Sequence, residues 1–114
     1  MYNTEIAHKC ERFAASIAPL LFATNRIQIG DFYSDVYYAL RILHARRDVL
    51  TMTDDIVVKA YIDGLSETID KLIDEIPDDT ETFKDCVNRA LQVLYSRSTI
   101  VHDIAERLKS YLTT

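Results

Sequence analysis

The chain has little of what interrupts helices. Two glycines and two prolines occur in 114 residues. So few breakers exclude the many tight turns of a β-sandwich. No apolar run approaches the ~20 residues of a membrane-spanning helix, so no membrane association is expected. The opening Met1-Tyr2-Asn3-Thr4-Glu5-Ile6 has neither the basic head nor the apolar run of a signal peptide. Cysteine is also scarce. Cys10 and Cys86 form no local metal pattern and read as buried packing residues. A cytoplasmic protein with reduced thiols is the expectation. Basic residues are outnumbered, 13 against 18 acids, for a net charge of −5. That balance argues against direct binding to a phosphate backbone.

What is present is apolar residue at helical spacing. Nearly half the chain, 48%, is hydrophobic, enough for a packed core. The length suits one domain, 1–114, without metal or disulfide support. A first helix from Asn3 or Thr4 carries Ile6, Cys10, Phe13, Ile17 and Leu20 on one stripe. Pro19 predicts a kink or restart there. Gly30-Asp31 marks a boundary, and a second helix runs from about Phe32 to Arg47 with Val36, Ala39, Leu40 and Leu43 inward. A third helix is capped by Thr51 or Thr53, with Asp54 and Asp55 in its first turn. It carries Val57, Tyr61, Leu65, Ile69, Leu72 and Ile76. Its apolar phase continues through Gly64, and Pro77 stops it. A last stretch, Thr80–Leu112, buries Phe83, Val87, Ala90, Leu94, Val101, Ile104, Leu108 and Tyr111. Its register calls for an apolar residue at 97 and finds Arg97. The cluster Ser96, Ser98 and Thr99 predicts a break there, with Ser98 capping a final helix. The expected fold is all-α: an antiparallel four-helix bundle with helices kinked or split near Pro19, Gly64 or Ser98.

Charge is distributed unevenly. From Asp54 to Asp85 there are eleven acids and three lysines, a net −8, while the rest of the chain is +3. Asp63, Glu67, Asp70 and Asp74 fall at i, i+4, i+7 and i+11, one face of a helix. Like charges at these spacings oppose the helix by a few tenths of a kcal/mol per pair. The row reads as a solvated face or as a docking face for a partner protein with a basic surface, such as a nucleic-acid-binding protein. A second row, Tyr33, Tyr37, Arg41 and His44, places two phenols, a guanidinium and an imidazole on one flank. Such residues serve as bundle edges or as interface anchors for a partner or a second copy.

The segment Arg97-Ser98-Thr99-Ile100-Val101-His102 resembles the R-x-x-x-x-H signature of HEPN-domain ribonucleases, including the polar residue after the Arg. The resemblance covers six residues. It implies a small helical dimer in which Arg97 holds the phosphate and His102 takes part in proton transfer. Ile104 stands where those proteins often carry a Tyr. On an unbroken helix, positions five apart point about 140° from each other, so joint action requires a break or a second chain. Glu5-x-x-His8 has half the spacing of a di-iron site, and its second half is absent. No metal or cofactor is expected. The leading expectation is a binding module acting as a regulator, inhibitor or assembly subunit, with the ribonuclease as its rival.

Overall fold

Six helices make up the computed structural model, which describes residues 4–24, 32–74 and 80–112. Within these, the side chains at 32, 33, 66, 69, 70, 72, 73 and 80 are not described. The helices are α1 (Thr4–Ala23), α2 (Phe32–Ala45), α3 (Arg47–Thr51), α4 (Ile56–Asp74), α5 (Thr80–Arg97) and α6 (Thr99–Leu112). No strand occurs among the described residues. The all-α expectation holds. The number of helices is larger than expected, because the second helix ends at Ala45 and a five-residue α3 follows. The signals at Gly30-Asp31, Ile76, Pro77 and Asp78 lie outside the described residues.

α1 is the central element. It packs most extensively on α5, then on α6, and less on α4 and α2. Its stripe explains this. Cys10, Phe13, Ala14, Ile17, Ala18, Leu20 and Leu21 are all buried. Phe13 meets Phe83 of α5 edge to face, with ring centroids 5.7 Å apart. Cys10 and Cys86 are joined as a disulfide with Cα atoms 6.1 Å apart. This corrects the expectation of two free packing thiols. The pairing spans 76 residues and follows from the docking of α1 on α5, which no local spacing encodes.

Pro19 does not restart α1, which runs unbroken to Ala23. Proline removes one rung of the ladder. One turn earlier the Ser16 carbonyl accepts a hydrogen bond from the Tyr61 hydroxyl of α4. Burial raises the Tyr61 pKa above the usual phenol value, against a backbone hydrogen bond at Leu20 that favours the anion. This contact ties α4 to the α1 backbone one residue past Ala15, whose carbonyl is the one Pro19 leaves without an amide donor. The end is closed by Thr24, whose hydroxyl donates to the Leu20 and Leu21 carbonyls.

α4 departs from the expected phase by one residue at its start. Val58, Ile62 and Leu65 are buried, whereas Val57 is exposed. The cap is Asp55, not Thr51 or Thr53. Its Oδ1 accepts from the Val57 and Val58 amides at 3.0 and 3.4 Å. Thr53 instead accepts from the Asp55 amide and hydrogen-bonds the Tyr111 hydroxyl of α6. Gly64 lies inside a continuous α4, as the apolar phase predicts.

The Thr80–Leu112 stretch breaks at Ser98. Its Oγ accepts from the Val101 amide at 3.2 Å and so caps α6, as expected. The buried row continues on both sides of the break through Phe83, Val87, Leu91, Val101, Ala105 and Leu108.

Candidate functional site

Asp63, Glu67 and Asp74 are exposed, and the side chain of Asp70 lies outside those described. Among the described residues, none of these three carboxylates takes part in an ion pair or side-chain hydrogen bond. Four acids elsewhere are paired. Glu5 pairs with Lys9, Glu106 with Lys109, and Arg107 holds both Asp55 and Asp103. The Arg107 guanidinium lies 2.9 Å from Asp55 Oδ2 and lowers the Asp55 pKa below its ordinary value.

Beside the acidic face an open cavity of about 330 Å³ lies between α4 and the α2–α3 segment. Its apolar part is made by Leu43, Leu50 and Ile62. Leu50 and Ile62 belong to the core, so this surface is rigidly backed. Asp63 and Glu67 line the α4 side, and His44 and Arg47 line the other. Two rows that the sequence suggested separately therefore converge, through His44 of one and Asp63 and Glu67 of the other. Arg47 was missed as a site residue. Its only sequence signal was a place in the basic pair Arg46-Arg47, and its role depends on the turn into α3.

The remaining flank is less concerted. Tyr37 is 66% exposed, Arg41 is exposed, and the Tyr33 side chain lies outside those described. Met52 and Ile56, at 82% and 81% exposure, form an apolar corner at the α3–α4 turn that the periodicity did not reveal.

Arg97 and His102 sit on either side of the break at Ser98. His102 Nε2 donates to the Tyr95 carbonyl, and its ring meets Phe22 edge to face at 4.5 Å. Arg97 is exposed at the end of α5. Among the described residues no hydrogen bond joins the two side chains. The sequence also gave no warning of Asp35, a charged residue only 4% exposed, whose field acts on Tyr95. Burial, with Asp35 second, raises the Tyr95 pKa above the usual phenol value.

No group of three or more His, Cys, Asp or Glu suited to a metal occurs among the described residues. No described helix is long and apolar enough to cross a membrane. The chain matches no protein-family model, no curated protein and no solved structure.

Proposed function

We propose that this chain is a protein-binding module, a regulator, inhibitor or assembly subunit, that docks the acidic face of α4 on a basic partner surface. The observation that carries this reading is the contrast in pairing. Asp63, Glu67 and Asp74 stay exposed without a cation along one helix, while Asp103 and Glu106 of α6 are both paired within the fold. A carboxylate row of this kind matches the basic groove of a nucleic-acid-binding protein, where it would take the place of phosphates. The exposed Tyr37 and the Met52–Ile56 corner add the apolar contacts that interfaces use. On this reading the scaffold is a four-rod antiparallel bundle in which α2 with α3, and α5 with α6, are interrupted rods. A second copy of the chain as partner is the homodimeric form of the same reading. A reducing cytoplasm suits a disulfide poorly, and the docking reading does not depend on compartment.

The test is charge reversal. Asp63→Lys, Glu67→Lys and Asp74→Lys together remove capture of a basic protein that the wild type retains at low salt. Unchanged capture rules the acidic face out. The ribonuclease reading draws on the break at Ser98, which interrupts the helix between Arg97 and His102. RNA cleavage by the purified protein, abolished in His102→Ala, would put that reading first.

A further inference from the structure

The cavity beside α4 shares Asp63 and Glu67 with the docking face and has chemistry that docking does not use. Its walls are segregated by sign. Asp63 and Glu67 stand on α4, and His44 and Arg47 on the α2–α3 side. Opposite charges around one opening would normally close on each other. Among the described residues, none of these four side chains makes an ion pair or side-chain hydrogen bond. The apolar backing of Leu43, Leu50 and Ile62 lies between the two walls. The volume of about 330 Å³ falls at the small end of ligand sites, which are typically ~300–1,000 Å³ with an apolar lining and a few convergent polar groups.

Each simpler ligand meets an obstacle. An inorganic anion drawn to Arg47 would lie against two carboxylates. A metal dication drawn to Asp63 and Glu67 would lie against a guanidinium. A neutral hydrocarbon would leave all four polar groups unused. A molecule carrying a carboxylate, an ammonium and a short aliphatic body answers every wall at once. Its carboxylate meets Arg47, whose fork of donors fits two oxygens. Its ammonium meets Asp63 and Glu67, and its aliphatic part covers Leu43 and the edge of Ile62. Thr51 contributes little, since its hydroxyl already donates to the Asp48 carbonyl. We propose that the cavity between α2–α3 and α4 is a binding site for a small aliphatic zwitterion of the α-amino-acid or dipeptide class.

The test is titration of the oxidised 114-residue chain, followed by calorimetry and by amide chemical shifts. The probes are L-leucine, the dipeptide Gly-Leu, 3-methylbutylamine, which lacks the carboxylate, and 4-methylpentanoate, which lacks the ammonium. One or both zwitterions are expected to bind at least about tenfold more tightly than either single-charge analogue, because each analogue loses a charge-assisted hydrogen-bonded pair. Which zwitterion is tighter separates a free amino acid from a dipeptide as the preferred occupant. Arg47→Gln, and Asp63→Asn with Glu67→Gln, should each weaken binding on the order of tenfold. Asp74→Asn, on the same helix but outside the cavity, should leave it unchanged. These positions are exposed, and unchanged far-ultraviolet circular dichroism confirms that the variants are folded. The proposal is overturned if 3-methylbutylamine binds as tightly as L-leucine, or if neither zwitterion shows saturable binding by about 10 mM. Capture of the basic partner that survives charge reversal of Asp63, Glu67 and Asp74, with amino-acid binding by the wild type intact, would count against the docking reading alone.

Discussion

Breaking the Cys10–Cys86 bond should lower stability by several kcal/mol and leave the fold intact. The bond ties α1 to α5 across 76 residues. A cross-link of that span restricts the unfolded chain by about 15 cal/mol/K, or about 4.5 kcal/mol at 25 °C, on the chain-entropy relation. Measured values for native disulfides commonly reach 2–4 kcal/mol, so ~3–4.5 kcal/mol is the expected range. At about 2.1 cal/mol/K per residue of unfolding entropy, the 114-residue chain would lose roughly 12–20 °C in Tm. The fold survives because α1 and α5 also hold each other without the bond. Phe13 and Phe83 are each 1% exposed and in edge-to-face contact. The assay compares urea unfolding of oxidised protein, dithiothreitol-reduced protein and the Cys10→Ala, Cys86→Ala double variant. Reduced and double-variant proteins should agree with each other and fall below the oxidised form. Two free thiols in denatured, unreduced protein would refute the pairing. Equal stability of all three forms would refute the entropic argument.

Three smaller perturbations follow from single contacts. Gly64→Ala should stabilise by about 0.5–1 kcal/mol, read as an increase in urea midpoint, because an added Cβ meets nothing within 4 Å and alanine is the better helix former. Tyr61→Phe should destabilise by about 1–3 kcal/mol in the same assay, since the Ser16 carbonyl loses the hydroxyl that joins α4 to α1. Asp55→Asn tests the contact with Arg107 by pH. The Asp55 pKa lies below its ordinary 3.8 when folded, chiefly through the Arg107 hydrogen bond. Its stabilisation is therefore complete above that value and is lost as pH falls through the lowered one. The Tm difference between wild type and Asp55→Asn should be largest at neutral pH and should vanish in acid. A difference independent of pH would refute the charge contribution.

The sequence showed those parts of the fold that local periodicity controls. The α1 stripe, the passage of α4 through Gly64 and the Ser98 cap are all local patterns, and the structure contains each of them. What escaped depends on contacts distant in sequence. Asp55 caps α4 in place of Thr51 or Thr53, while Arg107 from α6 holds its second oxygen and Thr53 faces Tyr111. Arg97 interrupts the apolar register where α5 ends, so the misfit reports a helix terminus. The acidic row was legible from spacing, but its convergence with His44 and Arg47 was not. That convergence requires α3, a five-residue helix too short to leave a periodic signature. Asp35 escaped for a similar reason, because a lone acid on an amphipathic helix looks exposed until its neighbours pack.

Hydrogen exchange on the captured complex tests the docking account most directly. The account predicts slowed exchange over residues 60–74 of α4 when the basic partner is bound, reversed by salt because the contact is electrostatic. Protection confined to the segment around Arg97 and His102, with α4 exchanging as in the free protein, would contradict it.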